Sequence, residues 1–106
     1  MGLSGRRSAF IRACRNGHSN VAELLLDHSD KIELDEKDDE GLSAFMHACR
    51  YGHYDVAQLL LNHSDKIELN AKDNSGETAL MQACRYGRND VVKLLSESQI
   101  ILTKLS

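Results

Sequence analysis

The sequence has no proline. Its turns and helix stops therefore rest on Gly, Asn, Asp and Ser. No apolar run approaches the ~20 residues that a membrane-spanning helix needs, which argues against a membrane partner. There is no basic excess, since 13 Lys and Arg face 16 Asp and Glu for a net charge of -3. That balance argues against a general nucleic-acid binder. Met1 to Arg7 lack the apolar stretch of a secretory signal, so an intracellular, cytoplasmic chain is expected. No Gly-rich loop follows a strand pattern, and no Gly-x-Ser-x-Gly elbow occurs. An enzyme reading loses its usual footholds.

What is present is periodic. Ala-Cys-Arg followed one residue later by Gly stands at Ala13–Gly17, Ala48–Gly52 and Ala83–Gly87, 35 residues apart each time. A fixed period in this range marks a repeat architecture, in which units too small to bury their own apolar faces stack on one another. The first two units agree at about 22 of 35 positions, so the period is no accident. The 106 residues leave room for one small domain.

The middle unit shows the local code. Ser43 can cap a helix whose inner face carries Phe45, Ala48 and Cys49. Gly52 follows as a left-handed stop. A second helix opens near Tyr54 and Asp55, with Val56, Leu59 and Leu60 as its stripe and Ala57 and Leu61 on its flank. Asn62 to Asp65 are turn formers, and Lys66 to Leu69 alternate as an extended arm. Asp73-Asn74-Ser75-Gly76 is a β-turn sequence. The first unit repeats the pattern with Ser8, Phe10, Ala13, Gly17, Val21, Leu24 and Leu25. The third repeats it with Thr78, Leu80, Ala83, Gly87, Val91, Leu94 and Leu95.

These residues resemble the ankyrin repeat. The third unit carries the likeness best, in Gly76-Glu77-Thr78-Ala79-Leu80, Ala83-Cys84, Gly87 and Val91-Val92-Lys93-Leu94-Leu95, preceded by the arm Leu69-Asn70-Ala71-Lys72-Asp73. The resemblance implies an all-α ankyrin-repeat solenoid of stacked antiparallel helix pairs joined by β-turn arms. Its repeats fall at about 6–40, 41–75 and 76–98, with a tail at 99–106. Three departures stand out. Ala9, Ala44 and Ala79 replace the motif proline. Ile11, Met46 and Met81 replace the motif histidine, so the usual Thr–His bond is lost. The period exceeds the usual length of about 33 residues, with the excess near Ser29–Leu34 and Ser64–Leu69.

Several side chains resemble ligands or catalysts. Cys14 and His18, like Cys49 and His53, have a spacing found in zinc sites, but Cys84 is followed by Arg88 at the same offset. No metal and no cofactor are expected. One Cys per unit, at stacking distances of about 8–10 Å, is a buried filler and not half of a disulfide. His28 and His63 are placed to favour the end of a second helix. His47 is expected to be exposed on its short helix. The acidic run from Asp35 to Glu40 reads as a solvated turn tip.

The resemblance also implies where a partner binds, namely a concave groove between first helices and turn tips. The family's variable positions fall at Arg15 and Asn16, Arg50 and Tyr51, and Arg85 and Tyr86 on the helices. At the tips they fall at Asp39, Glu40 and Leu42, and at Asn74, Ser75 and Glu77, with Arg7 in the corresponding place of the first unit. Arg and Tyr are frequent hot-spot residues. The expected ligand is a protein segment with acidic or aromatic side chains near the groove centre and basic ones near the tips.

Arg6, Arg7, Arg12 and Arg15 read as a polar N-terminal cap. Ile100 to Leu105 are expected either to cover the last helix pair or to drive weak self-association of an otherwise monomeric chain. The expected function is a non-catalytic protein–protein interaction module. A regulatory segment of a larger protein and an engineered scaffold are the alternatives.

Overall fold

Five residues of each unit explain how its first helix ends. Gly52 adopts a left-handed φ of 74°. Its N–H bonds the Cys49 carbonyl at 3.3 Å, and the His53 N–H bonds the Ala48 carbonyl at 2.9 Å. This paired closure is the Schellman motif. Gly17 and His18 make it on Cys14 and Ala13, and Gly87 and Arg88 make it on Cys84 and Ala83. The recurring Ala-Cys-Arg-x-Gly is therefore a helix stop written three times.

The computed structural model describes residues 2–28, 36–63 and 67–105, with side chains for 9–28, 36–63 and 67–98. The helices are α1 (Gly2–Arg15), α2 (Ser19–Leu26), α3 (Ala44–Arg50), α4 (Tyr54–Leu61), α5 (Ala79–Arg85) and α6 (Asn89–Leu105). Among the described residues there is no strand, only an isolated bridge between Lys37 and Ser43. α1, α3 and α5 form one layer with α3 in the middle, and α2, α4 and α6 form the other with α4 in the middle. The first layer contributes Phe10, Cys14, Phe45, Met46, Cys49 and Ala83 to a single core. The second contributes Ala22, Leu26, Val56, Ala57, Leu60, Val91 and Leu95. The stacked two-layer solenoid expected from the period is what forms.

The helix starts follow the code in two units of three. Ser43 Oγ accepts from the Met46 N–H, and Thr78 Oγ1 accepts from the Met81 N–H, both at 3.3 Å. In the first unit α1 runs straight through Ser8 to Gly2. The reason lies two residues before the cap. Gly41 and Gly76 stand there with φ of 81°, whereas the first unit has Arg6, which resists that conformation.

Two other expectations need correction. In the first unit the inward face of α2 is Ala22 and Leu26, while Val21 and Leu24 are exposed. Arg12 and Arg15 are exposed, and Val21 and Leu24 add apolar surface to the same repeat. Ile67 to Leu69 form no strand, and Leu69 and Asn70 lie in a turn. The excess residues Ser29–Leu34 and Ser64–Lys66 lie outside the described residues. So do the side chains of Arg7 and of the apolar stretch from Ile100.

Candidate partner-binding groove

Each tip is built by one aspartate. Asp38 Oδ1 accepts from the N–H groups of Glu40 and Leu42, both at 2.9 Å. Asp73 Oδ1 accepts from Ser75 at 2.8 Å and Glu77 at 2.9 Å. The second carboxylate oxygen ties the tip to its own first helix. Asp38 Oδ2 takes the His47 Nε2 bond at 2.7 Å, and Asp73 Oδ2 takes the Gln82 Nε2 bond at 2.6 Å. Burial works against the Asp38 charge, but the Leu42 N–H, the His47 ring and the Glu40 N–H outweigh it and hold the carboxyl below its usual value. His47 is therefore a structural anchor, 3% exposed, and not the surface residue expected. A carboxylate folded onto it from the tip gives its ring a reason to be buried.

Neighbouring tips are then locked together. The Asn74 N–H bonds the Glu40 carbonyl at 3.1 Å, and Asn74 Nδ2 bonds the Asp39 carbonyl at 3.0 Å. Lys37 Nζ reaches the Lys72 carbonyl at 3.0 Å. Below them, His53 Nε2 donates to the Arg15 carbonyl at 2.7 Å, and Arg88 Nε donates to the Arg50 carbonyl at 3.0 Å. The tips and first helices thus form one braced wall and floor.

On that floor lies an alternating Arg–Tyr row. Arg50 Nη2 donates to the Tyr86 hydroxyl at 2.7 Å, with its guanidinium carbon 4.9 Å from the Tyr86 ring centre. It also lies 5.8 Å from Tyr51, and Arg85 lies 5.7 Å from Tyr86. All three distances fall within cation–π reach. Tyr51 stacks on His47 at 6.1 Å with the rings nearly parallel, which links the row to the tip anchor. Arg50 Nε is buried and has no hydrogen-bond partner.

Eight of the residues singled out from the sequence meet around one depression of about 290 Å³ between tips and floor. They are Asp39, Glu40, Leu42, Arg50, Asn74, Ser75, Arg85 and Tyr86. Leu42 is 1% exposed, so its side chain belongs to the core and cannot present itself to a partner. Its backbone N–H serves the Asp38 turn instead. Tyr51 borders Arg50, and Glu77 meets Arg85 at 3.4 Å. Arg15 and Asn16 are exposed at the first-unit end of the floor.

Asp73 and Gln82 also line the depression and were missed from the sequence, as were Asp38 and His47 behind it. The available signal was the recurrence of Asp38 and Asp73 at the unit spacing, each nine residues before a hydrogen-bonding side chain. Cys14 and Cys49 are buried and Cys84 is exposed, all as free thiols. Burial pushes the Cys14 thiol up to about 12 and raises that of Cys49 further. His63 Nδ1 bonds the Leu59 carbonyl at 3.0 Å, at the helix end where it was expected. Among the described residues no three His, Cys, Asp or Glu side chains gather as a metal site, and no helix is long and apolar enough to cross a membrane.

The family model described as "Ankyrin repeats (3 copies)" matches residues 10–104. The chain belongs to the ankyrin-repeat family. Members generally mediate protein–protein interaction and are typically non-catalytic. No curated protein sequence matches it. Among 348 solved chains that match is one from a complex of a Bdellovibrio bacteriovorus predatory endopeptidase with an immunity protein. That chain is 32% identical with a TM-score of 0.76, and the match covers 85% of this chain and 45% of the other. This sequence therefore spans less than half of that relative.

Proposed function

We propose that the chain is a non-catalytic binding module that holds a segment of a partner protein in the groove between its tips and first helices. The observation that carries this reading is the Arg50–Tyr86 pair. It joins two repeats on the groove floor, presents guanidinium and phenol together, and leaves a buried Arg50 donor unused. Arg and Tyr clusters, once a partner desolvates them, supply much of the energy in protein interfaces. A carboxylate or aromatic side chain at the segment's centre fits Arg50 and Arg85. Basic side chains toward its edge fit Asp39 and Glu40. Three free thiols suit a reducing, intracellular setting.

The test is a substitution of Arg50, Tyr51, Arg85 and Tyr86 by alanine. Proteins retained by the wild-type chain and lost by this variant, at an unchanged melting temperature, support the groove. A variant that keeps both its partners and its stability refutes it. A second reading is favoured by the likeness to the Bdellovibrio complex: the partner is an enzyme whose activity the chain blocks.

A further inference from the structure

The two ends of the stack are the two halves of a contact that the chain already makes twice. At the far end, Met81 is 50% exposed, whereas its counterpart Met46, on the helix that α5 packs against, is buried at 1%. Cys84 is exposed, whereas Cys49 is buried. A Cβ on Gly17 would meet His53, and one on Gly52 would meet Arg88, but nothing lies within 4 Å of that point on Gly87. At the near end, Val21 is 46% and Leu24 is 63% exposed. Their counterparts Val56 and Leu59 are buried and half-buried, with Leu59 seated beside Ser19, Asn20 and Glu23 of the preceding repeat.

The outer positions of the first and third repeats keep interior residues, as the stacked faces of adjoining repeats do. α6 continues to Leu105 and still leaves Met81 and Cys84 open.

We infer that the chain stacks head to tail on a second molecule of itself, the outer face of the third repeat receiving the first repeat of the next molecule. The register follows from the two internal contacts. His53 bonds the Arg15 carbonyl and Arg88 bonds the Arg50 carbonyl, each with the residue that follows the turn glycine. The next acceptor in the series is the Arg85 carbonyl, and the exposed donor of the same kind is His18 of the second molecule. Leu24 then lies against Asn89, Asp90 and Lys93, as Leu59 lies against Ser19, Asn20 and Glu23. The contact is weaker than the internal ones. Asn16 stands where a tyrosine would stack on Arg85, and the first repeat lacks a tip to pair with the outer one. Such a contact joins unlike surfaces and does not close on two molecules, so assembly grows with concentration.

Sedimentation over a concentration series tests this with Met81→Glu at one end and the double variant Val21→Glu, Leu24→Glu at the other. The wild-type mass should rise past that of two chains. Each variant alone should stay monomeric. An equal mixture should form pairs and nothing larger, because one intact half remains on each partner. Alkylation of Cys84 offers a second readout that needs no variant, since the other thiols are buried, and it should slow as wild-type concentration rises. A wild-type chain that stays monomeric with constant Cys84 reactivity overturns the inference. So does assembly that persists in Met81→Glu, or a folded mixture that fails to pair.

Discussion

His53 donates from Nε2 to the backbone carbonyl of Arg15 at 2.7 Å, across the boundary between the first two repeats. The acceptor is a terminal carbonyl of α1 that its own helix leaves unpaired. His53→Ala should therefore cost about 1 kcal/mol, the net worth of one such bond. His18→Ala, at the same place in the first repeat but exposed, should stay within about 0.5 kcal/mol. Urea denaturation midpoints distinguish the two.

Acid should attack the tip at Asp38. Its folded carboxyl is held below the ordinary value by Leu42, His47 and Glu40. A group depressed in this way adds stability that is complete above its unfolded value, near pH 4. That stability is lost as pH falls through the lower folded value. Asp38→Asn should melt well below wild type at pH 7, by about 2 kcal/mol for charge-assisted bonds at a partly solvated site. The gap should narrow as pH drops from 4 through the folded value. Thermal melts at pH 7, 4 and 2.5 follow it; a gap that stays constant refutes the charge as its source.

Gly41 and Gly76 share a φ of 81°, yet their surroundings differ. A methyl on Gly41 would sit 2.7 Å from the Asn74 backbone nitrogen, whereas around Gly76 there is open space. Gly76→Ala should cost only the left-handed backbone, about 1 kcal/mol. Gly41→Ala should cost clearly more, because the tip-to-tip contact must part. Calorimetric melting of the two variants checks the order.

Arg50 and Tyr86 should couple. A double-mutant cycle with Arg50→Ala and Tyr86→Ala should return about 0.5–1 kcal/mol of interaction in the free chain. Tyr86→Phe should keep the ring contact and lose the hydroxyl bond. Additive losses in the cycle would mean that the pair is only a proximity.

The sequence carried the stacking because its signals were local and repeated. Ser43, Thr78 and the glycines after each Ala-Cys-Arg determine helix ends through bonds to neighbours a few residues away, and a period of 35 residues made them visible. The groove was legible in outline, since Arg50, Arg85 and Tyr86 converge where the family pattern put them. What stayed hidden depends on contacts that composition does not announce. His47 looks like a surface histidine until Asp38, nine residues earlier, is folded onto it. Leu42 sits at a variable position, but an apolar side chain beside α3 gains more by burial than by exposure. Val21 repeats Val56 in sequence, yet it is exposed where Val56 is fully buried.

Among the described residues α1 passes through Ser8 to Gly2 without the glycine-hinged turn that precedes α3 and α5, which leaves two fingers over three palm helices. A peptide lying along the palm would be gripped from above at one end and bare at the other. Reversing its direction would exchange those environments, so a floor with fewer fingers than helices gives the groove polarity.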